Sequence, residues 1–426
     1  MEPSELTPNF EYIRYFDGYE KIMYTFIVIL RGEFELTSEI PNVEEYLKKK
    51  LPPLFNEFDI TRLSVCTLKG KPCFVKSTLP PLIKTVPFDL LGDYSCNQKV
   101  VTVKAPLELF KEWKSGMPLA MVFVSSFNSV IRLHICCSHS LSDGRTIEGL
   151  YRIVAHLLDE NIPLPINSKQ ADFGQQNLFP KLTKSEATTI LPFVLALPKS
   201  PRINPPEENI VFSDISDYLQ YSYAEISAFC KVHKVGVQAI MMCAYQRGMR
   251  KHFNVKNEVP LVGHIPVDSR TSLYASEEMK QRELFCGSAA FFPTLTSKDD
   301  FIEEITECNN SIRETQQSNE SAIFVTYLGS RVNADNGNDN TTQLDFSTDM
   351  PFVGVSNIGC YKYVTRPRVC CVSESKKLLT TIIYGYKEES ILNVYWKRSE
   401  PMPQNMLDTI IEQFDDIFTK IGSKRV

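Results

Sequence analysis

Between residues 119 and 138 the chain stays apolar through two successive runs, LAMVFVSSF and SVIRLHICCS, broken only around Asn128. Two β-branched runs separated by so short a polar break predict an antiparallel hairpin. Immediately downstream the period lengthens. Ile147, Leu150, Tyr151, Val154, Leu157 and Leu158 fall on one stripe at helical spacing, which predicts an amphipathic helix. Upstream, 22–35 (IMYTFIVILRGEFE) reads as a strand and 43–55 (VEEYLKKKLPPLF) as a helix stopped near its prolines. The segments 60–68 and 99–104 read as strands, and 106–114 (PLELFKEWK) as a short helix.

The same mixture recurs in the second half. SYAEISAFCKVH, VQAIMMCAYQRGMRKHF and DDFIEEITECNNSIRETQQ are helical, 259–268 (VPLVGHIPVD) is a strand, and 332–343 is a polar loop. FVGVS, RVCCVS, LLTTIIYGY and ILNVYW follow as strands, and a helix over 403–421 closes the pattern. Between the halves, Pro163, Pro165, Pro180, Pro192, Pro198, Pro201, Pro205 and Pro206 punctuate a stretch that suits a crossover better than a packed element. A chain of 426 residues exceeds what one core usually holds. The expected organisation is therefore an α/β (α+β) fold with a first unit over 1–160, a linker over 161–206 and a second unit over 207–426.

Composition narrows the partners. A chain 43% hydrophobic and 23% charged is ordinary for a soluble protein, and a net charge of -5 argues against a nucleic-acid or anionic-membrane partner. The first twenty residues are acidic and hold no apolar leader segment, and Ile22 to Leu30 is far too short to span a bilayer. None of the 12 cysteines falls in a C-x-x-C pair or at zinc spacing, so no metal is expected. Cys136–Cys137 and Cys370–Cys371 lie in apolar runs where successive side chains point to opposite faces. Buried, inert thiols and a cytoplasmic location are the expectation.

The candidate chemistry lies where the hairpin meets the helix, in SHSLSDG at 138–144. Alternation along 131–137 puts Ile131, Leu133, Ile135 and Cys137 on one face, which His139 continues, while His134 points the other way. A helix start beside His139 disfavours the imidazolium and keeps the ring able to accept a proton. Asp143 suits a helix cap or a buried partner for arginine, and Gly144 permits close approach. Spacing alone fits an ordinary hydrogen-bonded turn as well as a general base. The patterns G-x-S-x-G, Walker A and G-x-G-x-x-G are absent.

SHSLSDG resembles the H-x-x-x-D-G motif of the CoA-dependent acyltransferase superfamily. That superfamily includes chloramphenicol acetyltransferase, alcohol O-acetyltransferases, plant hydroxycinnamoyl-type transferases, phthiocerol diester synthases and peptide-synthetase condensation domains. VGHIPVDSR (262–270) is similar to its strand ending in a polar residue and arginine, and FVGVSNIG (352–359) to its Ser-Asn-x-Gly segment. Two departures stand out. Ser138 replaces the first of two histidines common in the family. The plant-type D-F-G-W-G is missing, since the DFG at 172–174 lies in the linker and continues as Gln-Gln.

The resemblance implies two chloramphenicol acetyltransferase-like subdomains, each a mixed sheet flanked by helices, meeting at a tunnel. His139 would act as general base on a hydroxyl or amine acceptor that attacks an acyl-CoA thioester. Asp143, Gly144 and Arg270 would be structural at the active site, and Ser356 and Asn357 would contact the oxyanion or substrate. Acyl-CoA would be a cosubstrate and no cofactor would be bound. Basic residues in 245–252 and 361–368 are the candidates for donor contact. Two other readings remain: an enzyme taking its acyl group from a carrier protein, and a non-catalytic member that binds ligands in the cleft. A monomer is expected.

Overall fold

The computed structural model describes residues 5, 10–24, 26–35, 40, 42–87, 89–91, 101–104, 107–127, 130–166, 215–318, 321–323, 325, 353–373, 380–386, 390–397 and 404–426. Most of the proline-rich linker, the DFG triplet and the polar loop over 332–343 lie outside them.

Strand β1 (Glu11–Tyr15) leads into a short helix, α1 (Gly18–Met23). Periodicity alone carries a strand back to residue 22, but a capping box overrides it. Asp17 accepts the Glu20 amide at 2.8 Å while the Glu20 carboxylate accepts the Asp17 amide at 2.9 Å. Strand β2 (Phe26–Glu35) begins only after that helix. Helix α2 (Val43–Phe55) starts on an Asn42 cap and runs through Pro52 and Pro53, which remove two ladder donors near its end.

The first half continues with β3 (Leu63–Leu68), β4 (Lys71–Lys76), β5 (Ile83–Thr85) and β6 (Val101–Lys104). Residues 107–112 form a 3-10 turn rather than an α-helix. The apolar runs at 119–138 become the antiparallel hairpin β7 (Ala120–Phe127) and β8 (Val130–Ser138), followed by α3 (Gly144–His156).

In the second half come β9 (Ile215–Ser222), α4 (Tyr223–His233), α5 (Val237–Phe253) and β10 (Leu261–Asp268). Next are α6 (Glu277–Gln281), β11 (Ser288–Phe291), β12 (Thr294–Leu295) and α7 (Phe301–Gln317). The chain closes with β13 (Val353–Cys360), β14 (Arg368–Ser373), β15 (Thr380–Tyr386), β16 (Ile391–Lys397) and α8 (Gln404–Ile421).

These strands form a small sheet in the order β1-β4-β3 and two mixed sheets, β14-β2-β8-β7-β5 and β11-β10-β13-β15-β16-β9-β6, with β12 paired to β10. The halves exchange strands. β14, from the second half, pairs with β2 along Arg368 to Ser373, and β6, from the first, pairs with β9. Two large apolar cores form, and the one built mainly from the first half also takes in Leu284, Phe285, Ala290 and Val369 of the second. In the first, α3 lies on the face of β8 that carries Leu133 and Ile135, and a Cβ on Gly32 would run into the Tyr151 ring. In the second, α5 and α8 cover the sheet through residues such as Ile240, Met241, Ile410 and Phe414.

Candidate active site

The turn between β8 and α3 is tied down on both sides. The Ser138 carbonyl accepts the amides of Leu141 at 3.0 Å and Ser142 at 3.1 Å, and the His139 amide donates to Phe26 of β2 at 2.7 Å. From the second half, the Cys286 thiol donates to the His139 carbonyl at 3.2 Å. Ser138 itself is buried, its hydroxyl donating to the Tyr24 carbonyl at 3.1 Å and sharing a hydrogen bond with Ser140 at 2.9 Å. The serine that precedes His139 is thus part of the turn's internal wiring.

Asp143 caps α3. Its Oδ1 accepts the amides of Thr146 at 2.7 Å and Arg145 at 3.1 Å. Its Oδ2 accepts the Gly287 amide at 2.6 Å and Nη1 of Arg270 at 2.8 Å. Arg270 is equally committed: to Asp268 at 2.7 Å, the Arg282 carbonyl at 2.9 Å, the Thr146 hydroxyl at 3.0 Å and the Phe285 carbonyl. Burial alone would raise the Asp143 carboxyl, but the Arg270 guanidinium and the backbone amides overcome it and hold it below the ordinary value. A carboxylate so depressed and so fully bonded has no capacity to take a proton from a substrate.

His139 contrasts with it. The residue is half-buried, and its Nδ1 is buried with no hydrogen-bond partner of ordinary geometry among the described residues. Burial lowers its pKa, against the opposing pull of its own carbonyl, the Asp143 charge and the Ser142 carbonyl. Burial is the leading cause of this lowering. A neutral imidazole keeps one nitrogen free to accept a proton.

The β13 segment reaches the same place through Ile358. A Cβ on Gly144 would fall 2.6 Å from Ile358 Cγ2, so the absence of a side chain lets α3 and β13 touch. Ser356 is partly buried on this strand, and Asn357 is exposed. The Asn357 carboxamide oxygen accepts the Gly359 amide at 3.0 Å, at a break in the register with β15. Glu148, one turn further along α3, accepts the amides of Lys362 at 2.9 Å and Tyr363 at 3.2 Å and so anchors the chain leaving β13. No sequence signal marks Glu148, since its partners are backbone groups.

The basic segments are largely committed elsewhere. Arg247 bonds Glu304 at 2.8 Å and Arg250 the carbonyls of Lys256 and Leu295 at 2.7 and 3.1 Å, so both point into the second half. Lys251 pairs with Glu412, and Arg366 meets Glu33 at 3.5 Å.

His134, on the opposite face of β8 from α3, belongs to a buried charge network that the sequence did not reveal. Asp89 receives His134 at 2.8 Å, Arg31 at 2.6 Å and Arg132 at 3.0 Å, and Glu33 bridges the two arginines at 3.1 Å each. Burial opposes the Asp89 charge, but these partners hold its carboxyl far below the usual range. No cluster of three or more His, Cys, Asp or Glu side chains fit for a metal occurs among the described residues, and no described helix is long and apolar enough to cross a membrane.

No protein-family model and no curated protein matches the sequence. Solved structures do match it along almost its whole length. Polyketide synthase associated protein 5 from Mycobacterium tuberculosis is 12% identical, over 95% of this chain and 98% of that one, with a TM-score of 0.61. The epimerization domain from the third module of tyrocidine synthetase B is 9% identical, over 99% and 98%, at 0.63. A trichothecene 15-O-acetyltransferase from Fusarium sporotrichioides is 12% identical, over 97% and 99%, at 0.59. The chain has the mixed α/β fold shared by condensation domains and CoA-dependent acyltransferases.

Proposed function

We propose that this protein is an acyltransferase that moves an acyl group from an acyl-CoA thioester to a hydroxyl or amine, with His139 as general base. The observation that carries the reading is a contrast within one turn: a neutral imidazole whose Nδ1 is unpartnered, beside a carboxylate already saturated by Arg270 and backbone amides. In the proposed step His139 takes the proton from the acceptor as its oxygen or nitrogen attacks the thioester carbon. When the tetrahedral intermediate collapses, the carbon–sulfur bond breaks and the proton passes from the imidazolium to the departing thiolate. The products are an ester or amide and free coenzyme A. The Ser356 hydroxyl and the Asn357 amide, whose oxygen is already turned to Gly359, are the proposed donors to the oxyanion. Asp143, Gly144 and Arg270 hold the turn and take no proton.

A second reading draws on the neighbours that belong to peptide-synthetase assemblies: the same chemistry with the acyl group delivered by a carrier protein. Both are tested by one assay. Ester or amide formation is followed with acyl-CoAs of graded chain length and a panel of alcohols and amines, in parallel with acylated carrier protein. His139→Ala is expected to fold and to lose at least about a hundredfold in rate, the low end of general-base contributions. Equal turnover by the variant and the parent would remove His139 from the mechanism. Transfer from carrier protein alone would establish the second donor, and inertness toward both would leave a ligand-binding protein.

A further inference from the structure

His264 takes no part in the chemistry above. Alternation along β10 turns Gly263 and Ile265 toward α5: a Cβ on Gly263 would meet Met242 Cε at 2.5 Å, and Ile265 belongs to the second core. His264, Pro266 and Asp268 face the other way, toward the first half. There Asp268 bonds Arg270 at 2.7 Å, and Arg145 of α3 lies 3.9 Å from its carboxylate. The neighbouring β11 runs antiparallel, with Pro266 opposite Ala290 and Ile265 opposite Phe291. Ala290 and Phe292, just past the strand end, pack against the first core. His264 therefore lies between the halves, in the layer that also holds the His139 turn.

The His264 ring stacks on Phe292, with centroids 5.6 Å apart and planes at 30°. Neither ring nitrogen has a hydrogen-bond partner among the described residues. Burial pushes the imidazole down to about 4, and the residue as a whole is half-buried. His139 is likewise a half-buried residue whose imidazole is pushed down by burial. The two are linked through β11. Cys286 touches the His139 carbonyl, and the extended chain from there to Phe292 spans about 13–20 Å. The strand paired with β10 beside His264 thus continues the chain that touches the His139 turn.

We propose that His264 and Phe292 form a binding subsite for an uncharged hydroxyl or amide on the part of a substrate remote from the reacting carbon. A neutral imidazole presents one donor and one acceptor, which matches either group, and the phenyl face covers the adjoining apolar stretch. A charged group would shed its water against a neutral ring and a phenyl face, which disfavours it. The inference rests on the acyltransferase reading for the reaction, but not for the binding itself. Two sources carry this chemistry: the pantetheine arm of a donor, with its hydroxyls and amides, and an acceptor with a second hydroxyl.

The test compares the full-length protein with His264→Phe, which keeps an aromatic ring but no nitrogen, and with His264→Gln, which keeps a donor and an acceptor. Each is titrated calorimetrically with pantetheine and with a long α,ω-diol, then assayed with that diol and the matching mono-alcohol at saturating acyl-CoA. If the donor is the source, pantetheine binds about three- to tenfold more weakly to His264→Phe, the size of one neutral hydrogen bond, and recovers in His264→Gln. If the acceptor is the source, the diol KM rises by the same factor at unchanged kcat, and the mono-alcohol is unaffected. A His264→Phe protein that melts like the parent and matches it in both arms overturns the subsite. Failure of all acyl transfer would count against the functional reading alone, because the calorimetric arm still reports on His264.

Discussion

Both oxygens of Asp143 are occupied, Oδ1 by the Thr146 and Arg145 amides and Oδ2 by Gly287 and Arg270. Asp143→Ala should therefore be a stability lesion: it removes a helix cap and leaves the buried Arg270 with Asp268 as its remaining carboxylate partner. The expected loss is about 3 kcal/mol, the low end for breaking a buried pair because Asp268 stays in place, read from the denaturant midpoint. Asp143→Asn, which keeps an acceptor for the Thr146 amide, should lose less. An Asp143→Ala protein that melts normally yet is wholly inactive would assign the carboxylate a chemical role. His139 gives a different signature. Its folded pKa lies below the ordinary imidazole value of ~6.5, so the base form persists as pH falls to that value, and activity drops only at lower pH. A kcat/KM profile whose acid limb turns above pH ~7 would contradict this assignment. His264 adds a linked effect on stability. The unfolded chain takes up its proton near pH ~6.5 and the folded chain only near about 4, so the unfolded state binds more protons between them and stability falls as pH drops through that window. Thermal melts across the window should show a smaller decline for His264→Phe than for the parent.

Helix α3 and strand β13 approach so closely at Gly144 and Ile358 that a single methyl group tests their packing. Gly144→Ala should cost about 1–3 kcal/mol by overpacking, and adding Ile358→Ala should return part of it by vacating the space. Strict additivity of the two losses would show that the elements do not press on one another there. The elements carrying this contact differ in how readable they were. The β7–β8 hairpin and α3 announced themselves because long apolar runs and a clean helical stripe have few other ways to be buried. His139, Asp143 and Gly144 were legible as one local motif, and Arg270 through the arginine ending a similar strand. Their remaining partners were not, since the Gly287 amide, the Phe285 carbonyl and the Cys286 contact engage backbone groups that leave no trace in side-chain pattern. Strands β1, β4 and β9 were missed for another reason: in short segments such as KPCFVK and ISDYLQYS the apolar residues do not alternate regularly with polar ones. Asp89 lay in a loop, and its role depends on Arg31, Arg132 and His134 arriving from two separate strands.

At the scale of the molecule, the two exchanged strands set how far the halves can act alone. Without the second half, β2 loses β14 and exposes its Val28-to-Arg31 stretch as an unpaired edge, while Arg31 and Glu33 lose the 365–366 backbone that bonds them. Without the first half, β9 loses β6, and Arg270 keeps a buried guanidinium with no Asp143. The first core also draws on residues of both halves: Leu284, Phe285, Ala290 and Val369 pack with Leu133, Ile135 and Ile147. A shared core and traded strands give each half contacts that it cannot make alone. The full-length chain should accordingly melt in a single calorimetric transition whose van't Hoff and calorimetric enthalpies agree. Fragments 1–206 and 207–426, split within the proline-rich segment, should each aggregate or lack a cooperative melt when expressed alone. Co-expressed, they should associate and regain both the transition and any acyl transfer. Two separate transitions in the intact chain, or a first fragment that folds cooperatively by itself, would show that the exchanged strands decorate two independent domains instead of joining them.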